Sequence, residues 1–371
     1  MGTHRRTRLR ARHLILAVSA TLMLLASGVP AANAAQVPSP SNSLQVWNLN
    51  THGMDTGIGP APNDAPTRSD YRDFISYIID PSRVAYYPDL ITLQETGTND
   101  GGITTTTCNE FAWLVHAGTN RPYLCVETTK VGGAAIVYRS DRLALLASNP
   151  NVQVKRIVNE KNQSPGETLG SCLYKGWYAL VLLMQDTVNS KYLAAESVHL
   201  PNSDYTTASG TQDCAWENTQ IVNQAVANSA VKMQVMAGDW NALDATATGA
   251  NEDTFTAWRC WYQGTNAAVG TCSGPNLGWR DGFYDRCPAG GASVKYSCLH
   301  TGDWTYIPST VPSKPHRRID FLFARGSLIQ NAVTVGWPEA LASATAAGNT
   351  EQVPSQYSDH RGQGALISYN P

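Results

Sequence analysis

The stretch Met236-Ala-Gly-Asp-Trp-Asn-Ala-Leu243 sets a carboxylate, Asp239, and a carboxamide, Asn241, one residue apart. It closes an apolar run through Val231, Met233 and Val235 that reads as a β-strand ending at Gly238. In an extended backbone, side chains two apart project from the same face. A strand that delivers these two groups side by side suits a divalent cation and a phosphate oxygen. Gly, Asp and Asn are equally ordinary turn residues, so the stretch alone also fits a strand followed by an Asx turn. What decides is whether other segments supply partners.

Several do. Leu44–Asn50 alternates as a strand and sets Asn48 and Asn50 on one face. Asp89–Glu95 is an apolar strand that ends in Gln94-Glu95. Lys191–His199 runs into His199-Leu-Pro, and Arg317–Ala324 carries Asp320 inside an apolar run. A carboxylate there costs free energy unless it is paired or working. Ser358-Asp359-His360 forms a turn before a last strand, Ala365–Tyr369. Gly132–Tyr138 and Trp177–Met184 complete the strands. Ser69 caps a helix that places Phe74, Ile75, Ile78 and Ile79 on one side, and Pro81 ends it. Residues 215–230 read as helix, 51–68 as loop and 98–110 as polar loop.

The N-terminus reads as an export signal. Five arginines between Arg5 and Arg12 precede an apolar run, Leu14–Ala26, and the small-x-small site Ala32-Asn33-Ala34. That run is shorter than the roughly 20 apolar residues of a spanning helix. Residues 1–34 are therefore read as a signal peptide and 35–43 as a flexible lead-in. Residues 44–371 form one domain, without a stable membrane anchor, expected outside the cell as a monomer. Removal of the signal lowers Lys+Arg from 27 to 22 against 29 Asp+Glu, so the mature chain carries about −7. Bulk charge of that sign excludes tight nucleic-acid binding through electrostatics alone, though not a local basic groove beside a cation. All eight cysteines follow the signal, and none forms Cys-x-x-Cys. Disulfides are the expectation rather than a zinc site, with Cys108–Cys125 the first pairing to test. Residues 244–310 hold four of the cysteines and many Gly, Pro and Trp, and read as a disulfide-tied insertion.

Taken in order, Trp47-Asn48, Gln94-Glu95, His199-Leu-Pro201, Gly238-Asp-Trp-Asn241, Arg318-Ile-Asp-Phe321 and Ser358-Asp-His360 resemble the endonuclease/exonuclease/phosphatase superfamily. The resemblance spans residues 44–369. It implies an α/β fold, a four-layer sandwich of two packed mixed β-sheets flanked by helices, with the site where strand-end loops converge. It implies a phosphodiesterase using Mg2+ or Mn2+. A phosphodiester is an anion with a poor alkoxide leaving group, and a divalent cation relieves both problems. By resemblance Glu95 is the main metal ligand, joined by Asn48 and Asp359. Asp239 orients or deprotonates the attacking water, while Asn241 and Asn48 hold phosphate oxygens. Asp320 holds His360, and His199 faces the scissile phosphate as acid or electrostatic stabiliser. Which group is base and which acid stays open.

Two departures stand out. Pancreatic-type nucleases carry a Glu that supports the first His, and Lys130-Val-Gly-Gly-Ala134 has none. Glu196 lies three residues before His199 and so points to the opposite face. The cationic phosphate contact falls to Lys175, with Arg139 the lesser candidate. The favoured substrate is nucleic acid, most of all DNA. The alternatives are a sphingomyelinase or phospholipase C, and a non-catalytic binding module on the same scaffold.

Overall fold

The computed structural model describes residues 35–51, 74–96, 107–127, 133–146, 152–156, 178–199, 231–240, 279–288, 298, 318–325, 327–335 and 360–369. In chain order these hold β1 (Ser43–Asn50), β2 (Leu90–Gln94), α1 (Thr107–Thr119), β3 (Tyr123–Glu127), β4 (Ala135–Arg139), β5 (Leu143–Leu145) and β6 (Val152–Arg156). Then follow β7 (Tyr178–Asp186), β8 (Lys191–His199), β9 (Val231–Asp239), β10 (Trp279–Asp281), α2 (Gly282–Arg286), β11 (Asp320–Arg325), β12 (Ser327–Val335) and β13 (Gly362–Tyr369).

The strands form two sheets. One runs β12-β13-β1-β2-β4-β3, the other β10-β11-β9-β8-β7-β5 with β6 also on β7. Both are mixed: β1 is parallel to β2 and β8 to β9, while the other pairs are antiparallel. The expected two-sheet sandwich is therefore present. Alternation along β1 shows how it is built. Leu44 and Val46 join Leu180, Leu182, Ala195, Val235 and Leu322 in the core between the sheets. Trp47 and Leu49 face the other way, under Phe74, Ile78, Phe111 and Val115. Trp47 meets Phe74 and Tyr77 edge-on, at 6.0 and 6.2 Å between ring centroids. Each such pair adds about 0.5–1.5 kcal/mol beyond burial.

Residues 74–78 are helical, as Phe74, Ile75 and Ile78 predict. The loop read over 98–110 is not loop throughout, since α1 begins at Thr107. Its first turn is poor in strong helix formers, and tertiary contacts make up the difference. Phe111 and Val115 pack under the first sheet, and Cys108 is bonded to Cys125, the expected pairing. A second disulfide joins Cys287 to Cys298. The segment read as an insertion also corrects in part. Trp279, Phe283 and Cys287 are buried, and β10 extends the second sheet beside β11. The helix read at 215–230 and the other four cysteines lie outside the described residues.

The lead-in packs against the rest of the first sheet's end. Gln36 donates to the Ile78 and Val84 carbonyls at 2.9 and 3.0 Å, and Val37 bridges to Tyr86. Ser39 donates to Asp89 and accepts from Arg142. Arg142 also pairs with Asp186 at 3.0 Å and Asp89 at 3.4 Å. Arg139 pairs with the same Asp89 at 3.1 Å. Burial pushes the Asp89 carboxyl up, while the two guanidiniums, Ser39 and the Gln45 amide pull it down. This network closes one end of the sandwich. Removing one member of a buried ionic cluster strands its partners. Asp89→Leu is expected to cost about 3 kcal/mol or more in urea unfolding.

Candidate active site

The opposite end of the sandwich is polar. It gathers the C-terminal ends of β1, β2, β8 and β9 with the N-terminal ends of β11 and β13. The inward stripe that is Leu44 and Val46 near the start of β1 becomes Asn48 and Asn50 at its end. The same change runs along the facing strands, to Ser197 and His199 on β8 and Asp239 on β9. Register sets the groups side by side. Asp239 lies between His199 on parallel β8 and Asp320 on antiparallel β11. Gly238 permits the close β8–β9 approach, because a Cβ there would sit 1.8 Å from the Val198 carbonyl oxygen.

The lower polar layer joins the sheets. Asn48 Oδ1 accepts from Thr92 Oγ1 at 2.8 Å and Gln94 Nε2 at 2.9 Å. Gln94 Nε2 also donates to Ser197 Oγ at 3.0 Å, and Ser197 donates to the Leu93 carbonyl at 2.7 Å. The upper layer holds the titratable groups. Asn50 Nδ2 donates to Glu95 Oε1 at 3.0 Å and to Asp239 Oδ2 at 2.9 Å, and lies 3.4 Å from His360 Nε2. His199 Nε2 is 3.4 Å from Glu95 Oε1 and 3.6 Å from Asp239 Oδ2. His360 Nε2 is 3.7 Å from Asp239 Oδ2, and its Nδ1 lies 2.7 Å from Asp320 Oδ2. Asp239, Asp320, His199 and His360 are all buried, and Glu95 is the partly exposed member.

Five residues named from sequence thus meet at one place: Glu95, His199, Asp239, Asp320 and His360. The Asp320–His360 pair forms as expected. An Asp on Nδ1 fixes that nitrogen as the donor and leaves Nε2 facing Asp239. Asn48 sits one layer lower, occupied by Thr92 and Gln94. Asn50, placed on one face with Asn48 from the sequence but given no role there, is the residue that joins the two carboxylates. Glu196 pairs with Val181 and Met236 on the outer face of β8, as its spacing from His199 requires. Arg139 is excluded as a phosphate contact, because Asp89 and Asp141 hold it at the far end of β4. Lys175, Asn241 and Asp359 lie outside the described residues. Trp240 is buried against Phe321 and Phe323, as its place on the other face predicts.

The donor set fits a divalent cation. Ligand atoms of Glu95, His199 and Asp239 all lie within 4.8 Å of one another, as do those of Asp239, Asp320 and His360. Glu95 and Asp239 share one amide donor, so two carboxylates crowd a site where like charge is costly. A hard cation relieves that repulsion by taking oxygen ligands from the carboxylates.

A family model described as Endonuclease/Exonuclease/phosphatase family matches residues 46–360. No curated protein matches the chain in sequence. Solved structures share its fold. An endonuclease/exonuclease/phosphatase from Bacteroides vulgatus is 17% identical, with a TM-score of 0.52 over 88% of this chain and 99% of that one. Its counterpart from Beutenbergia cavernae is 15% identical, with a TM-score of 0.53 over 89% and 72%. The human nocturnin catalytic domain, solved with a bound sulfate anion, is 12% identical, with a TM-score of 0.51 over 90% and 97%.

The Gly238 contact gives a direct check on the geometry. Gly238→Ala is expected to spread β8 from β9 and cost about 1–3 kcal/mol in urea unfolding, as overpacked sites do.

Proposed function

The chain belongs to the endonuclease/exonuclease/phosphatase family, and from that premise we propose that it is an exported, divalent-metal-dependent phosphodiesterase that cuts DNA. The family hydrolyses phosphoester bonds. The observation that carries the reading is the convergence of Glu95 and Asp239, from opposite sheets, on one Asn50 amide between two imidazoles.

Glu95 would hold the cation, Mg2+ or Mn2+, with Asp359 as a further candidate. The cation supplies neutralisation of the phosphate oxygens and of the departing alkoxide. The chain's own groups do the rest. Asp239 takes one hydrogen bond from Asn50 through Oδ2, and that contact orients the carboxylate toward an approaching water. His360 stands behind it with Nδ1 on Asp320, so an imidazolium formed there is stabilised by a buried carboxylate. His199 faces the same oxygens from the second sheet and is placed to stabilise charge on the phosphate. Asn241 and Lys175 are proposed to contact phosphate oxygens. The basic and apolar N-terminus supports export. The lipid-directed alternative drew on residues 244–310, and their described part, β10 and α2, packs into the core rather than presenting an apolar surface.

The reading is tested with DNA, RNA, sphingomyelin and inositol phosphates as substrates, each with and without EDTA. Plasmid cutting that stops on chelation is expected, and no cutting with Mg2+ or Mn2+ present would sink the DNA assignment. Choline release from sphingomyelin vesicles would move it to lipid. Asp239→Ala is expected to abolish turnover with an unchanged circular dichroism spectrum. Asp320→Asn is expected to lower turnover about 10²–10⁴-fold, the usual range for a lost acid–base group. An Asp320→Asn variant with wild-type rates would remove the Asp–His pair from the mechanism.

A further inference from the structure

Four described residues other than glycine have a positive φ. Asn120 closes α1, with its amide on the His116 carbonyl. Ser190 sits in the turn between β7 and β8, and Asn331 lies where the β12 register shifts. Those are ordinary places for short polar residues. The fourth is Glu95, with φ 54°. Its long side chain gains nothing locally from a left-handed backbone, and backbone outliers of this kind gather at functional sites.

Alternation along β2 shows what the outlier achieves. Leu90, Thr92 and Gln94 face the interior, while Ile91 and Leu93 face the helices. A strand continued by one residue would turn residue 95 outward with Leu93. The left-handed step instead brings the Glu95 carboxylate inward, where Asn50 Nδ2 meets Oε1. Contacts on both sides hold that step. Thr51 Oγ1 donates to the Gln94 carbonyl at 2.8 Å and to the Glu95 carbonyl at 3.1 Å. The Gly133 carbonyl accepts from Thr96 N at 2.9 Å and from Thr96 Oγ1 at 2.8 Å. Gly133 has φ 49°, and a Cβ there would come within 2.9 Å of Thr96 N and 3.1 Å of Glu95 Cα.

We propose that Thr51 and Gly133 are positioning residues that clamp Glu95 in a left-handed conformation and thereby aim its carboxylate at the cation between the two sheets. The clamp rests on the phosphodiesterase reading of the site, and it explains how a residue of outward parity reaches that site. Lys130-Val-Gly-Gly-Ala134 thereby gains a role. It holds no acid to support a histidine, but its Gly133 carbonyl holds Thr96 and the missing Cβ of Gly133 leaves room for the Glu95 backbone.

The test is direct Mn2+ binding without substrate, read by electron paramagnetic resonance, together with thermal unfolding of the metal-free protein. The wild type is expected to bind Mn2+ and Glu95→Gln to lose it. Thr51→Val is expected to bind about tenfold more weakly, as lost outer-shell partners do, and Thr51→Ser to restore binding. If Glu95→Gln binds as tightly as wild type, the metal-site reading fails and the clamp falls with it. If Glu95→Gln loses the ion but Thr51→Val keeps wild-type affinity, the site stands and the clamp is overturned. Without metal, Glu95→Gly is expected to melt above Glu95→Gln, because both remove the charge and only glycine relieves the backbone. A Glu95→Gly variant that melts at or below Glu95→Gln would overturn the strain on which the clamp depends.

Discussion

The site depends on one amide. Asn50 Nδ2 gives one hydrogen to Glu95 on the first sheet and one to Asp239 on the second. Among the described residues the first sheet carries Glu95 and the second carries Asp239 and Asp320, so neither sheet holds the set alone. A neutral donor is suited to this position. It satisfies two carboxylates without adding a fixed charge, so the site keeps its appetite for a cation. The lower layer of Asn48, Thr92, Gln94 and Ser197 makes the same cross-sheet connection beneath it. Inter-sheet spacing at this end is thus set by hydrogen bonds, where at mid-strand it is set by aliphatic packing.

The two ends of the sandwich handle buried charge in opposite ways. At the far end, two guanidiniums face Asp89 and Asp186, and the charges answer each other within the protein. At the site, among the described residues, three carboxylates face two imidazoles, which carry charge only when protonated. The first arrangement is closed and structural. The second is a set whose oxygens a cation from solution can join.

Much of this was legible from sequence, and the reason is alternation. Strands with a period of two deliver their terminal residues to a predictable face. His199, Asp239 and Asp320 could therefore be placed from their strands, and His360 from its position just ahead of one. Depth was not legible. Asn48 and Asn50 share a face, and nothing in the pattern says which lies in the upper layer. The Glu95 step was not legible either, because it depends on contacts from residues 51 and 133. α1 and the edge strands β3, β5, β6, β10 and β12 were missed. Their local signals are weak, and their stability comes from what they pack or pair with. Long-range ionic contacts such as Arg142 with Ser39 and Asp186 leave no periodic trace.

The packed segment at residues 36–43 also bears on the order in which the chain can fold. The partners that hold Gln36, Val37 and Ser39 lie at Ile78, Val84, Tyr86, Asp89 and Arg142. Asn189, from beyond β7, reaches back to the Ser41 carbonyl. Every one of these is synthesised at least 35 residues later, and closing such loops is slow relative to local structure. Residues 36–43 therefore cannot take their packed place until those partners have been made. They are among the last to lock.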